Sequence, residues 1–305
     1  MLRLKIENTC IEIRTREPKE LFESLNSDFS RRYLPPLSIG DCSNIAAVIY
    51  WISGEEFTVL SASYSSNAPD IYVVSGDYPR AYENESPVFF LTQVLARSLA
   101  KEGYIMLTDS VSMEFSEKNV LVLGFPHTGK STLSSIALSH GYRIYSTENT
   151  VVKLVDEVLH VVTGTRVLVF DPRVRDLYDV KVQSTSRTRH GYEVVDLDKY
   201  FNKELLNRKI PIDEIYVIYT SFSSSGVSIA PVKGRKVEKL IWYFATGLLK
   251  GLDYYYPQPL DMPLDDKVLL TIRKFMETTR KKYSDKFYEV FGSPMEVFRA
   301  ISRIN

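Results

Sequence analysis

Cysteine is almost absent from this 305-residue chain, with Cys10 and Cys42 the only two. One disulfide is the most that can form, so a disulfide-framework protein is excluded, and no spacing resembles a Cys/His zinc ligand set. Histidine is nearly as scarce, at four residues, which argues against a His-rich metal centre. An excess of either charge is also missing. Lys plus Arg and Asp plus Glu each number 38, so no global field draws the chain to nucleic acid or to an anionic membrane. Long apolar runs are lacking too. Patches such as Ala46–Ile52 are far too short to cross a bilayer. The first residues, Met1-Leu-Arg-Leu-Lys-Ile6, alternate like a strand instead of opening a signal core. A cytoplasmic location without membrane attachment is therefore expected. There is no internal repeat and no low-complexity linker. The 14 glycines are outnumbered by 20 tyrosines, a balance suited to compact, aromatic-rich packing.

What is present, at 44% hydrophobic and 25% charged residues, is an ordinary globular chain long enough for one large or two smaller domains. Its most informative stretch is Gly124-Phe-Pro-His-Thr-Gly129-Lys130-Ser131-Thr132, which fits G-x-x-x-x-G-K-[ST]. Val120–Leu123 before it reads as a buried strand and Thr132–Leu138 after it as a helix. That context is what nucleoside triphosphate binding needs. Glycines let backbone N–H groups curl around the phosphates, and the helix N-terminus adds partial positive charge. In this reading Gly124, His127, Thr128, Gly129, Lys130, Ser131 and Thr132 form the nucleotide-binding set. Lys130 reaches the β- and γ-phosphates and the Ser131 hydroxyl takes a place on Mg²⁺. His127 occupies a freely variable position, and Thr132 supports the helix start or meets the α-phosphate. The cofactors expected are ATP and Mg²⁺; no guanine-reading N-K-x-D signature is present.

Before this loop, residues 1–90 read mainly as strands and turns, with a helix over Glu17–Leu25 and strands at Ile45–Ile52, Phe57–Ser63 and Ile71–Val74. Leu91, Val94, Leu95, Ser98 and Leu99 then mark one face of a helix that Gly103 ends. The domain expectation is a strand-rich N-terminal lobe over 1–102 and a kinase-like domain over 103–305. Past the loop, helical patterns are expected over Val237–Leu249, Asp266–Lys282 and Phe287–Ile301. These C-terminal helices either cover the sheet or mediate a homo-oligomer. The tyrosines of Asp253–Pro257 are more naturally core packing than an adenine platform.

The order of parts around the loop is distinctive: a strand pair at Tyr104–Leu107 and Ser110–Phe115, a tight turn at Ser116–Asn119, the loop and helix, then His140–Arg143, Ile144-Tyr145, Ser146-Thr-Glu-Asn149 and a strand at Thr150–Val155. Over about residues 104–155 this resembles the HPr kinase/phosphorylase-related kinases, whose core is shared with phosphoenolpyruvate carboxykinase. The resemblance implies an α/β fold with a P-loop nucleotide-binding core of that type. It also implies transfer of the ATP γ-phosphoryl group to a hydroxyl, with positioning and charge neutralisation as the main tasks. The chain departs from the family twice. The family's histidine upstream of the loop is missing near Thr108-Asp109, and its paired aspartates are reduced to one carboxylate, Glu148. Glu148 is then the expected base or metal-associated group, and Asp109 a candidate replacement from the hairpin side.

Other candidates lie downstream. Asp171 ends the apolar run Val167–Phe170 as a Walker-B aspartate on Mg²⁺ would, although Asp-Pro is also a common exit from a strand. Arg166, Arg173, Arg175, Arg187, Arg189 and His190 concentrate positive charge, and Arg187 and Arg189 are the first choices for contact with the phosphoryl acceptor. The polar segment Gln183–Gly191 suits a mobile loop. Asp196 and Asp198 read as caps of a helix beginning near Lys199. The leading function is an ATP-dependent kinase acting on an unidentified hydroxyl of a small molecule or protein. The alternatives are a catalytically impaired nucleotide-binding regulator and an ATPase that uses Asp171.

Overall fold

The computed structural model describes residues 1–42, 44–115, 118–251 and 260–303. The fold is mixed α/β with several sheets. The chain divides into two compact units, one of residues 1–106 with 245–275 and the other of 107–244 with 276–305. The first boundary lies four residues past the expected one. Residues 245–275, expected to belong with the second domain, return to the first unit instead.

In the first unit, β1 (Leu2–Ile6) buries Leu2, Leu4 and Ile6 and turns Lys5 outward, which is the alternation visible in the sequence. It pairs antiparallel with β2 (Thr9–Arg14) through a two-residue turn, Glu7-Asn8. Helices α1 (Pro18–Leu25) and α2 (Asp28–Tyr33) follow, the first opened by a proline whose absent N–H costs nothing there. Then come β3 (Ser38–Ile39), β4 (Ala47–Ile52), β5 (Thr58–Ser63) and β6 (Asp70–Ser75). Their sheet runs β3-β1-β2-β4-β6-β5, with β2, β4 and β6 parallel. Helix α3 (Ser86–Lys101) is buried on nearly every side and begins five residues before the expected Leu91, at Ser86-Pro87. Within it Arg97 is fully buried against Asp70.

Cys10 and Cys42 are joined in a disulfide, with Cα atoms 6.2 Å apart and a sequence separation of 32. Such bonds persist in oxidising compartments and, inside cells, chiefly in hyperthermophiles, which narrows the cytoplasmic expectation. A loop of this length confers about 3–4 kcal/mol in the chain-entropy account. Cys10→Ser is therefore expected to lower unfolding stability by about that much, and reductant should do the same to the wild type in a urea titration. Among the described residues, no helix is long and apolar enough to cross a membrane.

After β7 (Tyr104–Leu107) the second unit holds β8 (Ser110–Phe115), β9 (Lys118–Leu123), α4 (Lys130–Ser139), β10 (Arg143–Ser146), β11 (Thr150–Val155), β12 (Val158–Gly164) and β13 (Val167–Phe170). It continues with α5 (Arg173–Tyr178), β14 (Ser186–Arg187), β15 (Glu193–Asp196), α6 (Leu197–Tyr200), α7 (Lys203–Leu206), β16 (Ile210–Pro211), β17 (Glu214–Thr220) and β18 (Val227–Pro231). Helices α8 (Arg235–Thr246) and α9 (Asp266–Lys282), strand β19 (Phe287–Gly292) and α10 (Pro294–Ser302) complete the chain. The central sheet is β10-β8-β9-β17-β19-β18, in which β9, β17 and β19 run parallel. Helix α4 packs against α10 through His140 and Phe298, whose ring centroids are 4.7 Å apart. A smaller sheet, β13-β15-β14, lies separately.

Two expectations are corrected. Phe287–Ile301 is not one helix: Phe287–Gly292 is a strand paired in parallel with β17, and only Pro294–Ser302 is helical. Ser293 caps that helix by accepting the Glu296 N–H, with Pro294 at its first turn. This Ser-Pro start inside the apolar pattern is the physical sign that two elements meet there. Gln183–Gly191 is not a free loop either, because Ser186-Arg187 pairs with β15 and a turn at 188–191 closes the hairpin. The expected turn at 116–119 lies partly outside the described residues, and the tyrosines of 253–257 lie wholly outside them.

Candidate active site at the Gly124–Thr132 loop

Strands β17 and β19 end together, Thr220 pairing with Gly292, and β9 ends three residues earlier, where Leu123 pairs with Val217. The carboxyl edge of parallel strands is where α/β sheets place ligands. Here the chain leaves β9 at Leu123, passes through Gly124–Gly129 and enters α4 at Lys130. Two glycines are required by geometry. A Cβ on Gly124 would lie 2.3 Å from the Thr128 hydroxyl, and one on Gly129 would lie 2.0 Å from that of Thr220. Gly129 also has φ +90°, a left-handed conformation that side chains resist. His127 is left-handed as well, at φ +64°, and exposed. Pro126 carries no N–H, so amides that can face an anion begin at His127.

No side chain caps the N-terminus of α4, and its first turn holds no carboxylate. The first-turn amides have no helical acceptors, and together with the helix dipole they favour an anion at this end. Ser131 is half-buried and Thr132 buried in that turn. Thr128 is fixed by donating its hydroxyl to the Phe125 carbonyl at 2.8 Å, and its own carbonyl accepts from the Thr220 N–H and hydroxyl at 3.1 and 2.9 Å. Sequence reasoning did not single out Thr220, which braces the loop from the end of β17.

The Lys130 ammonium lies inside the loop. It donates to Asp109 Oδ1 at 2.8 Å and to the carbonyls of Gly124 and Phe125 at 2.6 and 3.1 Å. Both side chains of the ion pair are buried, at 7% and 1% exposure. Asp109 sits at the turn into β8 with φ +51°, and its carbonyl accepts the Gly124 N–H at 3.1 Å. The hairpin that precedes the loop thus delivers a carboxylate to the loop lysine.

Glu148 reaches the same edge. Its carbonyl accepts the Ser110 N–H at 2.9 Å, next to Asp109, and its side chain is half-buried. The turn that carries it is held by Thr165, whose hydroxyl receives the amides of Glu148 and Asn149 at 2.9 and 3.0 Å. Gly164 allows this approach, since a Cβ there would meet the Ser146 side chain at 2.3 Å. Buried hydroxyls of Ser110, Ser146 and Thr150 bond one another at 2.6–2.8 Å and tie the turn to β8. The structure therefore pairs Asp109 with Lys130 inside the loop and anchors the Glu148 backbone one residue along from Asp109, at Ser110.

The downstream candidates are placed elsewhere. Asp171 follows a strand of the smaller sheet, accepts the Arg173 N–H at 2.9 Å and pairs with the Arg173 guanidinium. The Arg173 hydrogen bond holds its carboxyl below the usual range. Arg166 is buried and bound to Asp198 at 2.8 Å and to Asn207 at 2.7 Å, so it braces structure. Asp196 caps α6 by accepting the Asp198 N–H, while Asp198 itself takes Arg166. Arg187, 70% exposed, pairs with buried Glu193 at 2.8 Å, and Arg189 lies exposed in the hairpin turn with His190. Arg187, Arg175, Gln183, Ser184 and Glu193 line a shallow groove. Nearby Lys181 bonds Ser139 at the last turn of α4, at the opposite end of that helix from Lys130.

Glu193 gives a pH prediction. Burial pushes its carboxyl up, but the Ser184 hydroxyl and the Arg175 and Arg187 guanidinium groups more than offset this, leaving it below the usual range. A depressed folded pKa means the stabilisation is full above the ordinary carboxylate value and is lost as pH falls through the folded one. Glu193→Gln should cost about 3–5 kcal/mol at neutral pH and flatten the acid limb of a stability-versus-pH curve below about pH 4.

Among the described residues, no three or more His, Cys, Asp or Glu side chains converge as a metal cluster. A Mg²⁺ ion carried by phosphates needs only one or two protein ligands, so the lack of such a cluster does not bear on that chemistry. No family model matches the chain, and no curated protein matches it.

Proposed function

We propose that this chain is an ATP-dependent kinase that transfers the γ-phosphoryl group to a hydroxyl, built on a P-loop core of the HPr-kinase-like type. The observation that carries the reading is the Lys130 ammonium. It is held by Asp109 and two loop carbonyls under an uncapped helix N-terminus. A buried lysine that satisfies its donors on loop carbonyls can exchange them for phosphate oxygens without moving far. The glycines at 124 and 129, crowded by Thr128 and Thr220, keep the backbone close enough for its amides to do the same.

Ser131 is the residue that would hold Mg²⁺, which would neutralise phosphate charge when bound with ATP. Lys130 and the amides of His127 and of Gly129 to Ser131 hold the phosphates in place, the Thr128 N–H being donated to the Phe125 carbonyl at 3.2 Å. The acceptor oxygen forms its bond to the γ-phosphorus as the bond to the β–γ bridging oxygen breaks. The acceptor's proton passes to a carboxylate. Glu148 suits that task better than Asp109, which is already committed to Lys130 and is the more buried of the two. Asp109 then orients the lysine. Arg187 is paired with Glu193 and Asp171 is engaged with Arg173, so neither the acceptor nor the hydrolase reading draws support from them.

Glu148→Gln tests the assignment. Removing a general base should lower kcat by about 10²–10⁴-fold while ATP affinity measured by calorimetry stays nearly unchanged. An equal loss in affinity and turnover would make Glu148 a binding group. Full ATP binding with no transfer in the wild type would move the protein to the regulatory class.

A further inference from the structure

The aromatic side chains beside the loop form an ordered row. Phe125, in the loop, lies 6.2 Å from Tyr219 between ring centroids, and Tyr219 is stacked on Phe291 at 4.7 Å with the rings only 8° from parallel. The row crosses from the loop to β17 and then to β19, because Tyr219 and Phe291 are register partners. Tyr219 is the residue before Thr220, whose N–H and hydroxyl hold the loop at Thr128. Glu289, two residues before Phe291 on β19, is paired by Lys236. Tyr243 covers Phe125 at 4.8 Å, but the row emerges into solvent at its other end, where Phe291 is 45% exposed. The residue opposite Phe291 on β18 is Ser228, small and exposed.

A half-exposed, rigidly seated aromatic ring at the carboxyl edge of parallel strands is a stacking platform. Three strand spacings, about 14 Å, separate β9 from β18, over which the outer face of Phe291 looks, a span for the whole of an extended nucleoside triphosphate from base to γ-phosphate. Resting on the phosphate-loop reading above, we propose that the base of the bound nucleotide stacks on the outer face of Phe291, as the next layer after Phe125, Tyr219 and Phe291. Stacking needs only a π-face, so the site accepts purines in general and favours them over pyrimidines by area. Adenine and guanine are then told apart weakly, which agrees with the missing N-K-x-D signature.

The test is calorimetric binding of ATP, GTP, CTP and inorganic tripolyphosphate to wild type, Phe291→Ala and Phe291→Tyr. Phe291 is half-exposed, so both variants should fold, and matching circular dichroism and thermal melting would verify it. Phe291→Ala should weaken ATP binding roughly ten- to hundredfold, leave tripolyphosphate binding unchanged, and Phe291→Tyr should restore ATP binding. ATP and GTP should bind wild type within a few-fold of each other and more tightly than CTP. Unchanged ATP affinity in Phe291→Ala, with tripolyphosphate bound normally, would overturn the base platform and leave the phosphate loop intact. Failure of wild type to bind either ATP or tripolyphosphate would overturn the loop reading on which the platform rests.

Discussion

Lys130→Met is expected to reduce phosphoryl transfer by at least about 10²–10³-fold, the loss typical when one preorganised charge facing the reacting phosphate is removed. The argument starts from burial. The ammonium is 7% exposed and has three oxygen partners within 3.1 Å, so its position is set before any ligand arrives. Preorganised charge costs no reorganisation at the moment of reaction, which is why its removal is felt so strongly. The same variant strips Asp109 of a buried cation, which breaks an ion pair and costs about 3–5 kcal/mol of stability. Lys130→Arg separates the two effects. It keeps a positive charge for Asp109 and should fold close to normally, yet the planar guanidinium cannot replace a compact ammonium between two loop carbonyls. Single-turnover kinetics of both variants, with a urea titration of each, measures the two losses independently. Lys130→Arg that retains full transfer would contradict the assignment.

Arg97→Met is expected to destabilise the first unit by about 3–5 kcal/mol, the largest stability effect foreseen for any single residue there. Arg97 has no exposed side-chain surface. Its guanidinium donates to Asp70 at 2.8 Å, pairs with Asp265, bonds the Pro263 carbonyl and lies 5.0 Å over the Tyr64 ring. Lys101, one turn later on α3, adds a contact to Asp70 at 3.2 Å. Burial would lower the Arg97 pKa, but the hydrogen bonds it donates to Asp70 and Asp265 outweigh this and hold the pKa above its ordinary value. Removing the arginine leaves Asp70 fully buried without its main partner, and that uncompensated charge is the source of the loss. Asp70→Asn should cost a similar amount for the converse reason. Chemical unfolding followed by tryptophan fluorescence reports it, since Trp51 is buried in the same unit. A loss below about 1 kcal/mol would mean that the cluster is hydrated and not part of the unit's framework.

Much of the site's scaffold could be read from residue order, because it depends on local chemistry. The apolar run before Gly124 and the Ile136–Leu138 pattern after Lys130 give strand, loop and helix where short-range signals suffice. Asp109 and Glu148 were legible as isolated carboxylates. Their arrival at one edge was not, because it depends on hairpin pairing of β8 with β9 and on Thr165 holding the 147–149 turn. The same limit hid Tyr219 and Phe291, which are 72 positions apart and meet only because β17 and β19 pair in parallel. Phe287–Gly292 misled for a related reason. Its buried Phe287 and Val290 are spaced as on a helix face, and only the parallel neighbour β17 makes the extended form the stable one. The arginines misled in the opposite direction: clustering in sequence suggested a phosphate clamp, while Glu193, Asp198 and Asp171 each take one or two of them.

The most direct test of the account is transfer of labelled γ-phosphate from Mg²⁺-ATP to a panel of hydroxyl-bearing metabolites and protein extracts, with wild type beside Lys130→Arg. The account predicts label on a new hydroxyl acceptor with wild type, and a signal reduced at least about a hundredfold with the variant. ATP bound but neither consumed nor transferred, or label transferred equally by both proteins, would contradict it.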